Sequence, residues 1–199
     1  MRTGRIEVSF YLHKESRACI LVEKAGVDME IAQIFSVIEE LNGQYCDLWE
    51  QVCNMESPTE YKQGVDAVGQ VFIQMARQRR WAVEVLDLPT AGNPICITMN
   101  PDSTERPLVL SGHIDTVYPL GTFPVPAVRW EAGRIYGPGV IDCKGGIAIA
   151  ILTMKALLDN GYDQHVRLIL TSDEEISNIL GGEKEQAFSG SGQPVSPAP

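Results

Sequence analysis

Gly145 to Asn160 is apolar almost all round: Ile147, Ile149, Ile151, Leu152, Met154, Leu157 and Leu158 leave no continuous polar face. A helix of this kind is buried on several sides rather than laid on a surface. Gly161 follows it as a C-cap, where a left-handed residue is favoured. Short branched runs stand on either side, Leu108-Val109-Leu110 before it and Val166 to Leu170 after it. Bounded by polar residues or Pro, they read as buried strands. Strand, helix, strand is a crossover unit, which sets the two strands parallel in one sheet. The expected fold class is therefore α/β, a mixed, mainly parallel sheet flanked by helices.

The rest of the chain is organised around this unit. Ile31, Ile34, Phe35, Ile38 and Leu41 recur at helical spacing, and Tyr45, Leu48, Trp49 and Val52 continue the pattern, with a break into two helices expected at Asn42-Gly43. Ser57 and Glu60 fit a capping box with Pro58 at the first helical position. The helix this predicts puts Val65, Val68, Phe72 and Met75 on one face and ends near Gln78-Arg79-Arg80, where positive charge suits a helix C-terminus. Trp81 to Leu88 and Ile95 to Met99 read as strands, and Glu131-Ala132-Gly133 as the turn of a small hairpin. The expected boundaries are an extension over 1–30, a catalytic-domain portion over 31–182 and a disordered Gly/Ser/Pro-rich tail over 183–199.

Charge removes some classes of partner. Sixteen Lys and Arg against 26 Asp and Glu give a formal net charge of −10. Nucleic acids and anionic membrane surfaces need clustered basic residues, so neither is expected as a partner. No apolar run reaches the roughly 18 residues of a membrane-spanning helix. Met1 to Leu12 has no apolar stretch of the signal-peptide kind. The five cysteines are odd in number, scattered and without a CxxC pair, which reads as reduced thiols in a cytoplasmic protein. With three histidines in the chain, any metal site relies mainly on carboxylates.

Three segments rich in such groups fall at expected strand or helix ends: Gly112-His113-Ile114-Asp115-Thr116, Gly137-Pro138-Gly139-Val140-Ile141-Asp142-Cys143-Lys144-Gly145-Gly146, and Thr171-Ser172-Asp173-Glu174-Glu175. Each alone has an ordinary reading: a loop histidine, a helix N-cap at Asp142, a solvated acidic run. Together they lie where open α/β sheets gather ligands, beyond the carboxyl ends of strands. Histidine with carboxylates suits a borderline cation such as zinc, in a catalytic rather than a structural site. The Gly-Pro-Gly stretch lacks Walker spacing and is not a phosphate loop.

These three motifs, with Ser57-Pro58-Thr59 upstream, resemble the metallopeptidase family of glutamate carboxypeptidase, acetylornithine deacetylase, succinyl-diaminopimelate desuccinylase and aminoacylase. Pro119-Leu120-Gly121-Thr122-Phe123 looks most like the glutamate carboxypeptidase branch. The resemblance runs from about Ala32 to Gly182 and implies a zinc-peptidase-like catalytic domain. It implies that His113 binds one metal, Asp142 bridges two and Glu175 binds the second. It makes Glu174 the general acid/base and Asp115 the carboxylate that orients His113. The ions implied are two Zn(2+), with cobalt or manganese as substitutes, and the substrate is a small peptide or an N-acyl amino acid. A cis peptide is implied at Asp142–Cys143, with Cys143 as a packing residue. His13 and His165 are read as ordinary surface or structural residues.

The family pattern also includes a further carboxylate, a late histidine and a smaller lid or dimerisation domain. Here no His follows His165 and no acid follows Glu185. The expectation is therefore a truncated form, without the part that makes the complete family homodimeric. Three functions remain open at this point: an amide hydrolase, a non-catalytic binding or regulatory fragment, and a structural α/β domain whose acids are caps and surface.

Overall fold

The computed structural model describes residues 31–177 and Phe188. The expectations for 1–30, and for 183–199 apart from Phe188, lie outside the described residues.

Helix α1, Ile31–Cys53, runs unbroken through Asn42-Gly43, where two helices were expected. Gly43 is exposed and an added Cβ there would meet nothing within 4 Å. The opposite side carries Tyr45, Val52 and Cys53 into the core, with Ile38, Leu41, Leu48 and Trp49 packed against it. Packing along that side outweighs the roughly 1 kcal/mol that an interior glycine costs a helix.

Helix α2, Lys62–Gln78, starts later than expected and has Tyr61 at its N-cap with no side-chain cap bond. The Ser57/Glu60 capping box does not form. Ser57 instead donates its hydroxyl to the Ile114 carbonyl, and Pro58 pairs with Thr116 in an isolated parallel bridge. A long-range contact has taken the residues that local sequence assigned to a cap. The expected apolar face is present: Val65, Val68, Phe72 and Met75 are all buried. At its C-terminus Arg79 donates to the Met75 carbonyl at 3.1 Å.

Four strands form the main sheet: β1 Ala82–Val85, β2 Ile95–Met99, β3 Leu108–His113 and, labelled last in chain order, β6 Val166–Thr171. Their spatial order is β1-β2-β6-β3. The crossover unit is realised as expected, with β3 and β6 parallel through helix α3, Lys144–Asp159. The other two pairings, β1 with β2 and β2 with β6, are antiparallel. The sheet is mixed, then, but among the described strands it is not mainly parallel. The reason is connectivity: no helix separates β1 from β2 or β2 from β3, and parallel neighbours need a crossover long enough to return the chain. Strands β4, Arg129–Glu131, and β5, Arg134–Tyr136, make the separate hairpin. Its turn residues Ala132 and Gly133 both have positive φ, 49° and 74°, as a tight two-residue turn between right-twisted strands requires.

All three helices share one cluster with Ile95, Ile97, Met99, Val166, Leu168 and Leu170. Cys96 and Ile169 instead pack with Phe188, which is 3% exposed although it lies in the stretch expected to be a disordered tail. Two expected burials are incomplete. Leu108 and Val109 are each 47% exposed because β3 stands at the edge of the described sheet. Ile149 is 66% exposed, so α3 keeps one open side. Helix α3 closes with a Schellman motif: Gly161 (φ 80°) donates to Leu158 and Tyr162 to Leu157. Among the described residues no helix is long and apolar enough to cross a membrane.

Two glycines in helices test this account in opposite directions. Gly43→Ala fills open space and is expected to raise the free energy of unfolding by about 0.5–1 kcal/mol. Gly145→Ala would set a Cβ 2.2 Å from the Val140 carbonyl oxygen and 2.8 Å from Trp49 Nε1, and is expected to cost about 3 kcal/mol or more. Urea denaturation monitored by circular dichroism reads both.

Candidate metal centre

The parallel pairing of β3 with β6 sets Gly112 opposite Leu170 and His113 opposite Thr171. Both strands end at the same level, so the chain leaves them side by side. His113-Ile114-Asp115 and Asp173-Glu174-Glu175 therefore emerge at one edge of the sheet. The third loop, which enters α3, reaches the same edge because α3 lies against β3. Gly112 permits that approach: a Cβ there would stand 2.9 Å from Ile147 Cγ1 and 3.2 Å from Cys143 Sγ.

His113 is the central side chain, 5% exposed. On one side its Nδ1 stands 3.3 Å from Asp115 Oδ1 and 3.2 Å from the Asp115 carbonyl. On the other its Nε2 stands 2.8 Å from Asp142 Oδ1 and 3.8 Å from Glu174 Oε2. Burial disfavours the charged imidazole, but hydrogen bonds to Asp115, Cys143 and Asp142 outweigh it and push His113 up to about 11.

Asp115 is fully buried. Its Oδ1 accepts from the Glu174 N–H and its Oδ2 from the Glu175 N–H, each at 3.3 Å, while Thr59 Oγ1 donates to Oδ2 at 2.7 Å. Burial alone would raise its pKa; the hydrogen bonds from His113, Thr59 and Glu175 lower it below the usual carboxylate range. Asp115 is thus held as an anion that fixes the histidine and the backbone of the acidic pair together.

Asp142 is not the N-cap of α3. Cys143 occupies that position without a side-chain cap bond, and the Asp142 side chain, 76% exposed, turns to His113. The Asp142–Cys143 peptide is cis, as expected. Cys143 Sγ accepts from the His113 N–H at 3.0 Å and donates to the His113 carbonyl at 3.3 Å. The thiol thereby buttresses the end of β3. Glu175 is raised by burial; His113 pulls it down, and Asp142, Asp115 and Glu174 add to the rise.

The five sequence-predicted residues are accordingly near one another: His113, Asp115, Asp142 and Glu174 by side-chain distances, Glu175 by its backbone bond to Asp115 and by the charges acting on it. Donor atoms of His113, Asp142 and Cys143 lie within 4.8 Å of one another. An imidazole nitrogen ringed by carboxylates is a donor set that suits a divalent cation. His13 lies outside the described residues. His165 directly precedes β6, at the end of that strand away from these loops; burial and nearby Arg167 lower its pKa.

Residues 109–191 match the family described as peptidase family M20/M25/M40. The match covers less than half of the chain and marks a resemblance to that family. Carboxypeptidase G2 from Pseudomonas sp. (strain RS-16) is 25% identical over 174 residues, which cover 82% of this chain and 41% of that protein. Succinyl-diaminopimelate desuccinylase from Nitrosospira multiformis is 38% identical over 84 residues, 36% of this chain and 21% of that protein. The structure of human carnosine dipeptidase 1 superposes with a TM-score of 0.65 at 17% identity, over 80% of this chain and 39% of that one. The fold is shared with the last, and the chain spans well under half the length of each.

Sequence reasoning missed two supports of this M20-like site. One is Thr59, which the Ser57-Pro58-Thr59 resemblance included without assigning it a role; its contact with Asp115 bridges 56 positions. The other is Lys144, fully buried, whose Nζ donates to the Val52 and Met55 carbonyls at 2.9 Å each. A single lysine heading an otherwise apolar helix was the available signal. Burial pulls Lys144 down to about 8, against the opposing influence of Cys53 and Asp115. Its stem fills the space beside Gly139 (φ 69°), where a Cβ would stand 3.0 Å from Lys144 Cδ. Lys144→Met withdraws this donor from both carbonyls and is expected to lower the free energy of unfolding by about 1–3 kcal/mol. Equilibrium urea denaturation measures it, and an unchanged midpoint would show that the ammonium group contributes nothing there.

Proposed function

We propose that this chain is the N-terminal part of the catalytic domain of a dinuclear-metal amide hydrolase of the carboxypeptidase or N-acyl-amino-acid deacylase type. The observation that carries the reading is His113 held between Asp115 at Nδ1 and Asp142 at Nε2. A carboxylate behind a histidine is the arrangement that selects one tautomer and presents the other nitrogen to a metal. His113, Asp142 and Glu175 are the proposed ligands of two zinc ions, with cobalt as a substitute. When bound, such ions lower the pKa of water and polarise an amide carbonyl.

The remaining steps belong to the protein. Glu174 has half its side chain exposed and its Oε2 near His113 Nε2, a position suited to receiving a proton from water. It then returns that proton to the leaving amine as the C–N bond breaks. Asp115 holds its negative charge behind His113 while this occurs. The proposed substrates are small peptides or N-acyl amino acids, in keeping with the names of the carboxypeptidase and desuccinylase relatives. Nucleic acid and membrane are not proposed as partners. The proposed location is the cytoplasm, and a homodimer is proposed for the complete protein.

A second reading is favoured by the extent of the match, 41% of carboxypeptidase G2: a fragment that binds metal without turnover and serves, if at all, as a binding or regulatory module. Calorimetric zinc titration of metal-stripped chain, with hydrolysis assays on dipeptides and N-acyl amino acids, separates the two. Hydrolysis that Glu174→Gln lowers by about 10²–10⁴-fold with zinc still bound supports the enzyme. Zinc binding without hydrolysis supports the fragment. Zinc binding equal in wild type and His113→Ala, or absent from both, overturns the proposed centre.

A further inference from the structure

We infer that Thr59 is a positioning residue of this site, acting on the metal ligands through Asp115. The inference rests on the reading of His113 as a ligand and adds to it the group that sets the ligand's support. Asp115 receives four donors: His113 Nδ1 and the Glu174 N–H at Oδ1, and the Thr59 hydroxyl and the Glu175 N–H at Oδ2. Three of them come from the loops that form the site. Thr59 comes from outside, from the segment between α1 and α2. Its bond is the shortest of the four, 2.7 Å against 3.3 Å for each of the others.

Each oxygen of a carboxylate accepts about two hydrogen bonds, so Asp115 is saturated. Its rotation about χ2 is therefore decided by where the donors stand. Three donors move with the loops they belong to. The Thr59 hydroxyl is tied to a separate element and supplies the fixed reference. Its segment is itself anchored: Ser57 Oγ donates to the Ile114 carbonyl at 2.9 Å, the Thr116 N–H donates to the Ser57 carbonyl at 2.9 Å, and Pro58 bridges Thr116. Thr59 is 4% exposed, so water does not replace its hydroxyl without a rearrangement. Removing the hydroxyl frees the plane of Asp115, and with it the ring of His113 and the backbone of Glu174 and Glu175.

Ser57 provides the control. It belongs to the same strap and makes a bond of comparable length, but to backbone, with no contact to Asp115. A structural role would make the two residues equivalent. A positioning role separates them in metal affinity.

The test is zinc binding by calorimetry, with the melting temperature of the metal-free chain measured in parallel. Thr59→Val keeps the shape and removes the hydroxyl, and is expected to weaken zinc binding about 10–100-fold. Thr59→Ser restores the donor and is expected to stay within about threefold of wild type, a narrow margin set against that same loss. Ser57→Ala loosens the strap but leaves the donor on Asp115, and is expected to lower the melting temperature and weaken zinc binding clearly less than Thr59→Val does. Thr59→Ala carries the same expectation as Thr59→Val should the latter not fold. Unchanged affinity in the hydroxyl-free variants, or equal losses in Thr59→Ser and Thr59→Val, overturns the role of Thr59. Failure of the underlying reading looks different: His113→Ala and wild type then bind zinc alike or not at all.

Discussion

Asp115 is the group on which the site depends. A fully buried carboxylate is costly to keep ionised unless donors replace the water it has lost. Here they do, and they are drawn from three separate stretches of chain: Thr59, His113 at the end of β3, and the Glu174-Glu175 backbone after β6. Because its donors come from three different parts of the fold, satisfying Asp115 and assembling the site are one event. The carboxylate does not face solvent and needs no exposure for this role. Its effect is transmitted through the imidazole ring of His113 and two peptide N–H groups.

The segment from Val52 to Thr59 then appears as more than a connection between helices. At one end its carbonyls hold Lys144, which follows Asp142 and Cys143 directly. At the other, Ser57 and Thr59 hold the Ile114–Thr116 turn. One strap thereby fixes both the loop that carries Asp142 and the loop that carries His113. Lys144 heads α3, yet its charge is spent on the carbonyls that close α1, where a cation is favoured. Cys53 beside it is pushed up to about 11 by burial, against the pull of Lys144 and a bond with Trp49.

What was legible in the sequence follows from range. Ile95 to Met99 and Val166 to Leu170 were readable as strands because burial on both faces leaves them apolar except at Thr98 and Arg167. The buried face of α2 was readable for the same reason: Val65, Val68, Phe72 and Met75 repeat locally. The motifs around His113, Asp142 and Glu174-Glu175 were visible because each is a short run of chemistry-bearing residues at an element's end. Ser57 was misread because a capping box and a tertiary strap use the same residue types, and only the partner 57 positions away distinguishes them. The antiparallel pairings of β2 were hidden for a related reason. A strand's direction is set by its connections and neighbours, not by its own side chains. Gly43 was overweighted, since its propensity cost is local while the packing of α1 on α3 is not.

The electrostatics of the edge give the arrangement its purpose. Asp142, Glu174 and Glu175 gather at one edge of a chain already carrying −10; Glu175 is raised chiefly by burial, and Asp142, Asp115 and Glu174 add to that rise. His113 relieves part of it, since the surrounding carboxylates hold its proton up to about 11. A divalent cation at Nε2 would relieve more, because it delivers twice the charge to the same oxygens and leaves Nδ1 bonded to Asp115. Under the proposed metal-binding reading, the acids would oppose the metal-free fold and favour the loaded one. Binding energy that favours the native state adds to its stability by mass action. The bonds of Asp115, Thr59 and Lys144 form without any cation, so on the proposed reading the site would be preformed for one.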